Sequence, residues 1–145
     1  NMETSRVKFL IVIFVTLMVG WVFGMSEKQL AAVVKMVRNT CQPKTKASDV
    51  DIDNMHKGDW NIDHNAMCYM FCSLNMYKLL HKNNSFNLES GMSQLKQLPE
   101  HYRAPTEKCM KHCQDPGVPL DDKCVVAYEL TKCMYFCSPE NYFLP

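Results

Sequence analysis

Three stretches of this chain share one spacing: Cys68-Tyr69-Met70-Phe71-Cys72, Cys109-Met110-Lys111-His112-Cys113 and Cys133-Met134-Tyr135-Phe136-Cys137. Cys41 and Cys124 complete a set of eight cysteines, separated in order by 26, 3, 36, 3, 10, 8 and 3 residues. On a helix, an i,i+4 spacing puts two thiols on one face, one turn apart. Such a pair closes poorly on itself, because a disulfide needs a narrow range of Cβ separation and torsion. Each C-x3-C pair therefore reads as two staples from one helix to two other segments. The pattern predicts a helical domain tied by crosslinks, and spacing alone does not choose the pairing.

The compartment follows from the first residues. Arg6 and Lys8 precede a 15-residue apolar run from Phe9 to Phe23, with Val22 and Gly24 at −3 and −1 of a cleavage point before Met25. A membrane anchor needs about 20 apolar residues, so residues 1–24 read as a secretory signal peptide; cleavage after Gly20 is the alternative. Residues 25–145 then form one domain. An even set of cysteines behind a signal peptide implies a secreted, extracellular chain with disulfides rather than zinc. Without residues 1–24, Lys+Arg falls from 16 to 14 and Asp+Glu from 15 to 14, so the domain is formally neutral. It has no basic block to attract nucleic acid or anionic lipid, and no stable membrane insertion is expected.

Periodicity predicts six helices. Ser26 and Gln29 form a capping box ahead of Leu30, Val33, Val34 and Val37, and Pro43 is expected to stop that helix. Ser48 and Asp51 cap a second through Val50, Ile52 and Met55, ended by Gly58. Asp63 caps a third, carrying Met67, Cys68, Met70, Phe71, Cys72, Leu74, Leu79 and Leu80 into the loop at 82–87. Asn87 opens a fourth with Met92, Leu95 and Leu98, closed by Pro99. A fifth begins at Pro105-Thr106, and Asp121 caps a sixth through Val126, Leu130 and Met134 to Ser138-Pro139. The fold class is all-α: a compact six-helix, disulfide-tied domain around an apolar cavity. Asn83-Asn84-Ser85 is a glycosylation sequon, which makes Asn83 a candidate surface modification site.

No catalytic constellation is present: there is no G-x-S-x-G, no H-E-x-x-H and no glycine-rich phosphate loop. His56, His64, His81, His101 and His112 are scattered, so no metal site and no cofactor is expected. What remains is apolar interior. The inward faces offer Leu30, Val33, Val34, Val37, Met67, Met70, Phe71, Leu74, Met92, Leu95, Leu98, Val126, Leu130 and Met134 as ligand-binding candidates. Eleven methionines give soft, adaptable surface suited to a pocket that moulds to its contents. Tyr69, Tyr77, Tyr128 and Tyr142 could supply the hydroxyls that set preference.

Laid out this way, the chain resembles the insect odorant-binding proteins. Their signature is six cysteines, with three residues between the second and third and eight between the fifth and sixth. Cys41, Cys68, Cys72, Cys113, Cys124 and Cys133 match it, with gaps of 26, 3, 40, 10 and 8. The resemblance implies the pairs Cys41–Cys72, Cys68–Cys124 and Cys113–Cys133. If the fifth and sixth helices run antiparallel, Cys109 and Cys137 then face each other, one turn back on one helix and one turn on along the other. A fourth bridge, Cys109–Cys137, is expected; the rivals are two free thiols, or Cys109 in the place of Cys113.

The resemblance further implies an extracellular carrier of small hydrophobic molecules, with an olfactory receptor or a second copy of the chain as further partners. It implies a lid, in which Tyr142, Phe143 and Leu144 close the cavity and the carboxylate of Pro145 is latched to Tyr69 and Arg38. Acid would open that latch. The other classes are a saposin-like lipid-interacting module, whose end-to-end cysteine pairing does not suit these gaps, and a secreted disulfide-rich effector that binds a protein.

Overall fold

The first helix is started by its own side chains: Gln29 N–H donates to Ser26 Oγ at 3.2 Å and Ser26 N–H to Gln29 Oε1 at 2.8 Å. In the computed structural model, which describes residues 24–145, this helix, α1, spans Glu27–Thr45. The expected signal peptide lies in residues outside the described ones, apart from Gly24. α1 runs past Pro43, where a stop was expected. Proline removes only its own donor, and Lys46 N–H still reaches the Gln42 carbonyl at 2.9 Å before the chain turns at Lys46 with φ 59°.

Ser48 caps α2 (Asp49–His56) by accepting from Asp51 N–H, and Asp63 caps α3 (His64–Met76) by accepting from Ala66 N–H. α3 ends before Leu79 and Leu80, which the periodicity had placed on it. Lys78 adopts φ 56°, and Leu79 N–H bonds the Leu74 carbonyl at 2.9 Å, a helix-ending turn made here without glycine. Leu80 and Phe86 then form an isolated antiparallel bridge around the 81–85 loop. α4 (Leu88–Gln94) is capped by Asn87 and continues as a short 3₁₀ turn, Leu95–Gln97.

α5 spans Glu100–His112 and begins directly after Pro99, one and a half turns before the expected start. Pro105 lies inside it, at the cost of one backbone hydrogen bond. Asp122, rather than Asp121, caps α6 (Lys123–Cys137), accepting from Cys124 and Val125 N–H at 2.9 and 3.1 Å. A 3₁₀ turn, Pro139–Asn141, leads into the closing segment 142–145. Among the described residues there is no strand.

α3 packs between α1 and α6, and α5 lies against α6. Disulfides follow those contacts. Cys41–Cys72 ties α1 to α3 and Cys68–Cys124 ties α3 to the start of α6. Cys109–Cys137 and Cys113–Cys133 tie α5 to α6, each with its Cα atoms 5.7 Å apart, as two rungs of one antiparallel pair. The solid core gathers Val37, Ile52, Met55, Trp60, Ile62, Tyr69, Met70 and Val126 where α1, α2, α3 and α6 meet.

Because Cys113–Cys133 remains, removing the Cys109–Cys137 bridge as a Cys109→Ser/Cys137→Ser pair frees only the short ring formed by residues 109–113 and 133–137. The loss is about 3 kcal/mol on loop-closure grounds, and thermal denaturation of the purified double variant should show a Tm lower by about 10 °C. A Tm equal to that of the parent would show that this rung adds nothing to the rung beside it.

Candidate functional site

A cavity of about 250 Å³ opens between the inner faces of α1, α3, α4, α5 and α6. Leu30 and Val33 line it from α1, Leu74 from α3 with Tyr77 at that helix's C-cap, and Gly91 and Gln94 from α4, with Leu95 and Leu98 just beyond. α5 contributes Pro105, Thr106, Cys109, Met110 and Cys113; α6 contributes Leu130, Thr131 and Met134. Tyr142, Phe143 and Leu144 close it from the end of the chain, and Met25 reaches it from the start of the described region. Among the described residues lining it there is no Lys, Arg, His, Asp or Glu. A neutral apolar wall can exclude water and solvate hydrocarbon, and it offers no charge for acid–base chemistry.

Ten ligand-binding candidates come together here: Leu30, Val33, Leu74, Leu95, Leu98, Leu130, Met134, Tyr142, Phe143 and Leu144. Seven do not. Val37, Met70 and Val126 are fully buried in the solid core, and Met67 and Phe71 pack half-buried against it; Lys123 Nζ lies 4.8 Å from the Phe71 ring centroid. Val34 and Met92 are half-buried and outside the lining. One apolar stripe serves two purposes along its length. On α1, Leu30 and Val33 face the cavity, while Val37 and Cys41, further along, enter the core.

The lining also holds residues that periodicity did not select. Leu79 and Phe86 sit on irregular chain flanking the 81–85 loop. Gly91 carries no side chain to read; a Cβ there would come 2.6 Å from Met110 Sδ. Thr106, Cys109, Met110 and Cys113 stand at i, i+3, i+4 and i+7 on α5, and that signal was readable once the helix was placed.

The closing segment is held by rings. Tyr142 has centroid distances of 5.2 Å to Tyr135, 5.8 Å to His56 and 6.2 Å to Trp60, and Phe143 lies 5.2 Å from Tyr102. Leu144 joins the core cluster and Pro145 is buried. The ionic latch is not made. Arg38 instead pairs with Asp49 at 3.0 Å and Asp53 at 3.7 Å across the α1–α2 corner. Hydrogen bonds from Gln42 and Arg38 hold the Asp49 carboxyl below its usual range. The Tyr69 hydroxyl is buried with no partner among the described residues, and that burial raises its pKa well above the ordinary value. Arg38 acts on Tyr69 through space, but its ion pairs among the described residues are with Asp49 and Asp53. Tyr128, another of the hydroxyl candidates, donates to the Trp60 carbonyl at 2.8 Å.

His64 and His112 each adjoin a disulfide, Cys68–Cys124 and Cys113–Cys133. Bonded sulfurs offer no thiolate to a metal.

Residues 24–136 match the PBP/GOBP family. General odorant-binding protein 19a of Drosophila melanogaster is 31% identical over 115 residues, covering 77% of this chain and 78% of its own. The crystal structure of odorant binding protein 4 from Chrysopa pallens superposes with a TM-score of 0.78 at 39% identity, over 83% of this chain and 99% of that one. Odorant binding protein 7 of Anopheles gambiae, a structure with four disulfide bridges, shares the fold at a TM-score of 0.67 and 20% identity, over 80% of this chain and 91% of its own. Six helices, four of them crosslinked, surround a neutral cavity, and the chain belongs to the PBP/GOBP family of insect odorant-binding proteins.

Proposed function

We propose that the chain is an extracellular carrier that takes small hydrophobic molecules reversibly into the cavity, with residues 142–145 as its lid. The observation that carries this reading is the lining itself: about 250 Å³ of neutral, largely apolar space kept open by crosslinked helices. That volume sits at the small end of small-molecule sites. The Anopheles gambiae structure of the same fold is in complex with an azo compound, so this architecture does admit an organic guest. A molecule burying about 300 Å² of apolar surface gains roughly 7 kcal/mol. After ordering costs, an affinity in the micromolar range follows. Secretion rests on the apolar run of residues 9–23 and on the disulfides.

His56 is the group through which acid acts on the lid. His56 is exposed at its outer edge, and partial desolvation on its inner side holds its pKa below the ordinary 6.5; the Arg38 cation on α1 adds to this, while Asp53 on α2 opposes it. Tyr135 of α6 meets the His56 carbonyl at 3.5 Å, and Tyr142 of the lid meets the His56 ring. Since the folded pKa lies below the unfolded one, the closed form keeps its full stability above pH 6.5 and loses it as pH falls through the folded value.

Titration of the disulfide-bonded chain with N-phenylnaphthylamine should give saturable one-to-one binding in the micromolar range. Gly91→Leu places a side chain against Met110 and into the cavity, and should weaken that binding at least about tenfold with the far-ultraviolet spectrum retained. Equal binding by parent and variant would place the probe elsewhere. Acidification from pH 7 to pH 5 should weaken probe binding in the parent and much less in His56→Phe, which keeps a ring beneath Tyr142. Identical pH profiles in the two proteins would remove His56 from the mechanism.

A further inference from the structure

Two hydroxyls in the interior, Tyr69 Oη and Tyr77 Oη, are buried with no hydrogen-bond partner among the described residues. An unpaired buried hydroxyl costs on the order of 1–3 kcal/mol, and native proteins hold few of them. Tyr77 lines the cavity. Tyr69 lies eight residues earlier on the same side of α3 and is itself fully buried.

The polar groups around them are already engaged. Gln94 Nε2 donates to the Tyr77 carbonyl at 2.8 Å and to Ser90 Oγ at 3.1 Å, and Thr131 Oγ1 donates to the Ala127 carbonyl at 2.8 Å. Burial pushes the Tyr77 phenol up to about 12. Tyr142 lines the same cavity as Tyr77, and burial, with the nearby Tyr69 and Tyr77 adding to it, raises its phenol too.

The chemistry of the guest follows from two facts. The unmet groups are two phenol hydroxyls that are not bonded to each other, and no charged side chain lines the cavity. A carboxylate or ammonium entering there would lose its hydration without a counter-charge. Arg38, which acts on Tyr69 through space, is committed to Asp49 and Asp53. An alcohol would bring a third proton, and with the two phenols not bonded to each other one of the three would stay unmet. A carbonyl oxygen brings only lone pairs.

We propose that the cavity is built for a neutral molecule with an apolar body and one carbonyl oxygen, of the aldehyde, ketone or ester class, which accepts the Tyr77 hydroxyl proton with Tyr69 beside it. This rests on the carrier reading and narrows it to one ligand class.

The test is competition of octane, octanal and octanoate against N-phenylnaphthylamine at pH 7 on the disulfide-bonded chain and its Tyr77→Phe and Tyr69→Phe variants. Tyr77→Phe should weaken octanal about tenfold, leave octane unchanged or tighter, and raise the Tm of the unliganded protein by removing an unpaired buried group. Octanoate should compete at least about tenfold more weakly than octanal in the parent.

Equal losses of octane and octanal in Tyr77→Phe, an effect confined to Tyr69→Phe, a lowered Tm, or octanoate as the best competitor would each overturn the proposal while leaving the carrier intact. Failure of the probe itself to saturate the parent chain would overturn both.

Discussion

Cys68 and Cys72 leave α3 from one face, one turn apart, and bond in opposite directions, to α6 and to α1. That divergence is the constraint on which the remaining architecture depends. An i,i+4 pair cannot satisfy itself, so it holds three helices in one arrangement around the middle one. The two rungs between α5 and α6 then fix the far wall. Leaving about 250 Å³ unfilled by side chains would cost an ordinary core about 6 kcal/mol at roughly 24 cal/mol per Å³. Two bridges at about 3 kcal/mol each offset that. Crosslinks that restrict the unfolded chain are therefore what permits a bundle of this size to stay hollow.

The hollow is confined to one part of the bundle. Where α1, α2, α3 and α6 meet, Ile52, Met55, Trp60 and Met70 fill space completely. Beyond them α4 and α5 take over as walls, and there the inner face of α5 is partly small and polar: Thr106, Cys109, Cys113. Two of those three positions are half-cystines, so the groups that secure the wall also make up its surface. Gly91 lets α4 approach Met110 more closely than any side chain would allow. The cavity is thus shaped by small residues on α4 and α5 as much as by large ones on α1 and α6.

Much of this was legible because its causes are local. Capping side chains act within three residues, so Ser26, Ser48, Asp63 and Asn87 announced their helices. The proline boundaries misled for an equally physical reason. Pro43 and Pro105 each forbid a single hydrogen bond, and flanking turns that are otherwise well paired absorb the loss. The end of α3 was hidden because Lys78 takes the left-handed conformation that composition would assign to glycine. Periodicity cannot divide one apolar stripe between core and cavity, which is why Val37 and Leu30 looked equivalent. The latch failed as a reading because it placed Arg38 by analogy with the lid, whereas two carboxylates on the next helix lie closer to hand.

Holding the lid by rings rather than by an ion pair changes what can release it. An exposed ion pair weakens with salt; edge-to-face rings in a largely apolar seat do not, and they respond instead to a charge appearing among them. In the proposed mechanism His56 is where such a charge arises, edge-on to Tyr142 at 5.8 Å. Tyr142 also lines the cavity, as Tyr77 does. One ring therefore lies between a titrating group at the surface and the cavity that holds the unpaired Tyr77 hydroxyl. In that proposed mechanism, protonation at His56 and a carbonyl at Tyr77 act on the same side chain, and by linkage each must then alter the free energy of the other. On that reading a guest that satisfies the phenols steadies the lid, and acid that unsettles the lid loosens the guest.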